Sequence, residues 1–215
     1  MAGFFLTYTL PLATGSFQGP RSAHIHGALL FGWLIVTVVQ TRLIGQRIAL
    51  HRTIGWTALV LAPLVAVSTI WVGYEGVAIG LARGDGQIAI SGFLGTVTSP
   101  LIYLSIVFAA IAMRSDPQWH KRLMLIATVA ILWPAWFRFR HFLPGLPRPE
   151  ITLSLVAANL PIGIAMFRDR IRFGKIHPAY LWIGLGLIAE QTFETVVFDS
   201  PAWRSVARAL YSVPS

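Results

Sequence analysis

No cysteine occurs among the 215 residues, which excludes disulfides, thiolate metal sites, iron–sulfur clusters and cysteine nucleophiles. Charge is also scarce. Asp, Glu, Lys and Arg make up 12% of the chain, against about 25% in a typical soluble domain. The acidic side is the thinner, with 8 carboxylates against 17 Lys and Arg. There is no Gly-rich phosphate loop, no serine-nucleophile elbow and no HExxH zinc motif. No low-complexity linker, internal repeat or second domain interrupts the sequence. What is present is apolar: 55% of residues are hydrophobic and mean hydropathy is +0.67. A soluble globule of this length cannot bury so much apolar surface, so the sequence reads as a single integral membrane domain over residues 1–215. The expected fold class is all-α, a polytopic transmembrane helix bundle.

Six apolar stretches approach the roughly 20 helical residues that a hydrocarbon core requires. They lie near 27–45, 53–73, 88–113, 122–140, 151–168 and 178–198. The loops after the first, third and fifth spans carry ten basic residues, Arg122 and Arg168 among them, and two acidic ones, Asp116 and Asp169. The opposite face carries seven basic and six acidic residues. The excess of Lys and Arg marks the first face as cytoplasmic. The basic balance thus reads as topology and contact with anionic lipid headgroups, and no aromatic-interleaved basic patch points to nucleic acid. Residues 1–13 are apolar but too short to span. They read either as an interfacial segment or as the tail of an earlier helix. Trp203, Val206, Leu210 and Val213 recur at helical spacing opposite Arg204 and Arg208, the pattern of a C-terminal helix lying on the surface.

Histidine and carboxylate are the metal ligands left to a chain without cysteine. His51 opens the second span, His120 the fourth and His177 the sixth, all at the expected cytoplasmic interface. Histidine beside Arg or Lys can simply mark a helix end at headgroup level. Three at one depth also suit a site: two of them for a haem iron, or all three for bound Zn, Cu or Fe. His51 and His120 are the pair for a haem. His177 is the third ligand for a bare metal, with Asp116 or Asp169 as carboxylates. An alternative outer site is His24 with His26, which an extended lead-in to the first span would place on one face and a helix would not. His141 and Glu75 lie at that same outer level.

Glu190 and Glu194 stand four apart on one face of the sixth span, with Gln191 alongside. A charge inside a membrane faces a partner or a cavity. Arg138, near the outer end of the fourth span, is the candidate partner for Glu194. The group reads either as a structural ion pair or as a path for protons or ions. Pro63, Pro100, Pro134 and Pro161 each fall within a span and remove one backbone hydrogen bond.

The order HIHG, Gln40, HRTIGW, HKRLMLIATVAILWPAWFRF and HPAYLW resembles a bacterial family of uncharacterised polytopic membrane proteins with HxHG, HRxxG and HKRLM signatures. The likeness covers nearly the whole chain. It implies a seventh helix ahead of the six, ending in a GFxxTY-like stretch that Gly3, Phe4, Thr7 and Tyr8 match. More distantly, the layout is similar to the transmembrane b-type cytochromes, whose histidines on alternate helices hold two haems. The inner pair, His51 and His120, fits that arrangement. The outer pair does not, because the third span has no histidine.

These features lead to an expected multi-pass protein of the bacterial inner membrane that binds haem b, or else Zn, Cu or Fe, and transfers electrons. Its expected partners are membrane lipids and a redox partner or the subunits of a membrane complex. Two other classes remain open. One is a histidine-metal enzyme acting on a lipid-like substrate, and the other a transporter or accessory subunit.

Overall fold

A computed structural model describes residues 5–212, and every regular element among them is helical. Gly3, Phe4 and Val213 lie outside the described residues. The first described stretch is two short helical runs, Phe5–Thr9 and Leu10–Ala13, closed where the Thr14 hydroxyl donates to the Leu10 carbonyl at 3.0 Å. The elements that follow are α1 (Ser22–Leu43), α2 (Ile48–Gly55), α3 (Ala58–Ala82), α4 (Gln87–Ala112), α5 (Pro117–His141), α6 (Glu150–Phe173), α7 (Tyr180–Val197) and α8 (Pro201–Ser212).

Helices α1, α3, α4, α5 and α6 are each long and apolar enough to cross a membrane. Helices α7 and α8 form a sixth candidate only as a pair, bent by 100°. Lipid contact explains their surfaces. On α3 the exposed residues Val60, Leu64 and Val67 follow helical spacing, as do Ile164, Phe167 and Ile171 on α6. Such apolar stripes suit hydrocarbon and would aggregate in water. The chain is a multi-pass membrane protein.

Contacts group the chain into two compact units. One comprises Gly19–Phe108 with the described residues of Asp199–Ser215, and the other comprises Ala109–Phe198 with those of Met1–Gln18. In the first unit, α1 packs along α3. Trp33 of α1 and Tyr103 of α4 are fully buried and meet edge to face, their centroids 5.1 Å apart. Helices α3 and α4 approach closely at Gly73, where an added Cβ would lie 2.7 Å from the Thr96 Cβ. Gly73→Ala therefore forces the two helices apart and is expected to cost about 1–3 kcal/mol. Thermal unfolding in detergent checks this against Gly76→Ala, where a Cβ meets nothing within 4 Å and no loss is expected.

The C-terminal helix is more than a surface anchor. Trp203 donates from Nε1 to the Ser91 carbonyl at 2.9 Å, and the Ser91 hydroxyl donates to Asp199 at 2.7 Å. Tyr211 lies against Tyr74 and Phe93. The bend before α8 is made at Asp199, whose φ of 61° lies in the left-handed region that Asp tolerates better than most residues. Hydrogen bonds from Arg204 and Ser91 hold its carboxyl below the ordinary carboxylate range. A depressed carboxylate stabilises above its unfolded value and loses that contribution as pH falls through its folded one. The docking of α8 is thus expected to loosen only below the ordinary Asp range. A spin label on Ala209→Cys, introduced into a chain with no other cysteine, reads this as increased mobility.

In the second unit, α5, α6 and α7 pack on one another. Helix α5 is interrupted after Ala130 and resumes at Trp133, because Pro134 has no N–H for the Ala130 carbonyl. Helix α6 opens in wide, π-type turns over Glu150–Ala157 and becomes α-helical from Ala158. It ends at Gly174, whose φ of 70° closes the last turn on the Arg170 carbonyl.

Candidate functional site

Two of the singled-out histidines are held by the same device. In the first unit, His51 Nδ1 lies 3.3 Å from the Gln40 carbonyl oxygen of α1. In the second, His120 Nδ1 lies 2.7 Å from the Ala110 carbonyl oxygen near the end of α4. The last four carbonyls of a helix have no donor within it. Each histidine therefore ties off the end of the helix before it, 11 and 10 residues upstream. A carbonyl only accepts, so Nδ1 carries the proton in both rings. In the neutral ring that leaves Nε2 as the nitrogen with the lone pair. Metal-bound histidines are oriented in this way, by donating their other nitrogen's proton to a carbonyl or carboxylate.

His51 does not open the second span itself. It sits on α2, a separate eight-residue helix ended at Trp56–Thr57, where the Thr57 hydroxyl donates back to Ile54 at 2.7 Å. Beside it, both polar atoms of the Gln40 side chain are buried without a hydrogen-bond partner in the described structure. The Gln40 amide nitrogen is 3.4 Å from where a Cβ on Gly55 would sit. A buried amide with neither end satisfied is costly. The orphaned donor and acceptor belong to the same residue whose carbonyl anchors His51.

His177 is held differently. Its Nδ1 accepts the Ala179 N–H at 3.1 Å, so the neutral ring carries its proton on Nε2. It serves as a cap ahead of α7, with Pro178 following. Burial and the Arg122 guanidinium push it below the ordinary histidine range, which keeps Nδ1 available as acceptor. The Trp119 ring stands edge-on to it at 5.2 Å.

The two carboxylates considered as ligands have other work. Asp116 caps α5 by accepting from the Gln118 and Trp119 N–H groups at 2.8 and 3.2 Å. Asp169 accepts from Arg122 Nε at 2.9 Å and Nη2 at 2.8 Å, with the two side chains 9% and 3% exposed. Arg122 also donates to the Gln118 carbonyl and amide oxygens. This ion pair, between residues 47 apart, ties α5 to α6 inside the second unit. Sequence reading missed it, counting both residues as loop charges.

At the other end of the first unit, His24 and His26 both lie inside α1, which begins at Ser22. The extended lead-in that would align them does not form, and two residues of helix turn their side chains about 200° apart. His26 Nδ1 lies 3.1 Å from the Ser68 hydroxyl oxygen, whose own proton goes to the Val65 carbonyl. Glu75 accepts from Trp71 Nε1 at 3.1 Å and from the Ser22 hydroxyl. In the second unit, Glu190 and Glu194 stand one helical turn apart on α7. Arg138 begins the tight Arg138–His141 turn that closes α5.

Among the described residues, no group of three or more His, Asp or Glu side chains is gathered as metal ligands. No protein-family model, curated protein or solved structure matches the chain.

Proposed function

We propose that this is a haem- or metal-binding electron-transfer protein of the bacterial inner membrane, in which His51 and His120 act as ligands through Nε2. The observation that carries the reading is their shared Nδ1–H bond to a helix-terminal carbonyl. It sets the tautomer and holds the ring before any ligand arrives, so less ordering accompanies binding. Helix capping alone accounts for the two bonds, but it leaves the orphaned Gln40 amide unexplained. The bound iron or other metal supplies the one-electron chemistry. The chain's own part is to fix the two imidazoles through their Nδ1–H bonds and present the polar Gln40 side chain beside His51. The Glu190–Glu194 pair supplies a proton-holding group.

The arrangement favours two histidine ligands over three, because His177 Nδ1 is engaged by the Ala179 N–H. The same engagement weighs against a three-histidine enzyme acting on a lipid-like substrate. Membrane lipids and a redox partner are the proposed partners. The test is the optical spectrum of purified protein, oxidised and reduced, compared with its His51 and His120 variants.

A further inference from the structure

A polar group inside the second unit belongs to neither the histidines nor the carboxyl pair. Asn159 of α6 and Gln191 of α7 are both buried, 6% and 7% exposed. Asn159 Nδ2 donates to Gln191 Oε1 at 2.7 Å and to the Leu155 carbonyl at 2.9 Å. Both partners are oxygens, so the amide cannot be turned over. Its Oδ1 points elsewhere, buried and without a partner among the described residues.

Ser154, five residues earlier and 4% exposed, has an orphaned hydroxyl as well. This is unusual for the chain. Thr69, Thr98, Ser105, Thr128 and Thr192 each donate to the carbonyl four residues back, the ordinary solution for a hydroxyl in a membrane helix. Ser154 lies in the wide-turned stretch Glu150–Ala157, where the i to i+5 spacing brings positions five apart toward one side of the helix. Pro161 then follows within the same helix. It removes the α-type N–H donor four residues on from Ala157. The stretch packs against α7 and against Trp133–Phe137.

The group offers three side-chain oxygens: Ser154 Oγ, Asn159 Oδ1 and Gln191 Oε1. Two orphaned acceptors within a span are costly unless something pairs with them. Hard cations take neutral carbonyl, amide and hydroxyl oxygens. Glu190 and Glu194 stand on the same helix as Gln191, carboxyl groups able to balance a cation's charge. We propose that Ser154, Asn159 and Gln191 bind a small alkali-metal cation, sodium, between α6 and α7.

The test is thermal unfolding of the detergent-purified full chain in sodium chloride against choline chloride at equal ionic strength. Sodium is expected to raise the midpoint by about 2–4 °C, saturating with concentration. Asn159→Leu is expected to abolish the difference. Ser154→Ala keeps the Asn159–Gln191 hydrogen bond and is expected to shift half-saturation to higher sodium, so the proposal stays testable if Asn159→Leu does not fold. No difference between the salts in the native protein overturns the proposal. A sodium shift that survives unchanged in both variants overturns it too, by placing the cation elsewhere.

Discussion

Arg122→Ala is expected to destabilise the protein by about 3–5 kcal/mol, the usual cost of leaving one charge of a buried pair alone. The Asp169 carboxylate would lose both guanidinium bonds, 2.9 and 2.8 Å long. Gln118 would lose a donor on its side-chain and main-chain oxygens. Asp169 and His177 lie close enough to influence each other electrostatically, so the turn before α7 would loosen with it. Arg122→Lys is not a mild change, because an ammonium cannot reproduce the two-pronged bond. Replacing both partners together, as Arg122→Met with Asp169→Leu, removes the stranded charge and should recover most of the loss. Thermal or denaturant unfolding in detergent measures all three. A loss below about 1 kcal/mol for Arg122→Ala would mean the pair is solvated like a surface bridge.

His51→Ala and His120→Ala are each expected to abolish the haem absorption band or, for a bare metal, to remove the stoichiometric metal. His141→Ala, on the exposed turn that closes α5, is expected to leave both unchanged. His177→Ala should do the same, because its Nδ1 already serves as a helix cap. Losing one Nδ1 capping bond costs about 0.5–1.5 kcal/mol, too little to unfold most domains. Loss of the band with the melting transition retained therefore reports ligation. Loss of the band in all four variants would report misfolding instead.

The spans were legible because long apolar runs leave few alternatives, yet their ends were not. The second span was expected to stop near residue 73, ahead of Glu75, but α3 continues to Ala82. Trp71 and Ser22 hydrogen-bond that carboxylate, so the charge does not end the helix. The fifth span was expected to end at 168, and α6 runs to Phe173, because Arg122 neutralises Asp169 from another helix. No local pattern reveals a partner 47 or 53 residues away. The start of α3 was misplaced for a different reason. His51, Gly55 and Trp56 read as one continuous run into the span, while the chain breaks at Trp56–Thr57 and leaves His51 on its own short helix.

The candidate histidines were visible from their placement at helix starts, but their ring chemistry was not. Which nitrogen carries the proton depends on the Gln40 and Ala110 carbonyls, and on the Ala179 N–H in the contrasting case of His177. Asn159 and Ser154 escaped notice because neither is charged, and a single amide or hydroxyl in a span is commonplace. Their orphaned oxygens appear only once the neighbouring helices are in place.

The most direct test of the electron-transfer reading is the absorption spectrum of detergent-purified protein, oxidised and dithionite-reduced, with metal analysis of the same sample from a host able to load haem. The account predicts a Soret band that sharpens on reduction, or stoichiometric redox-active iron or copper in a sample without that band. A sample free of both haem and metal would contradict it and leave the transporter or accessory-subunit reading in its place.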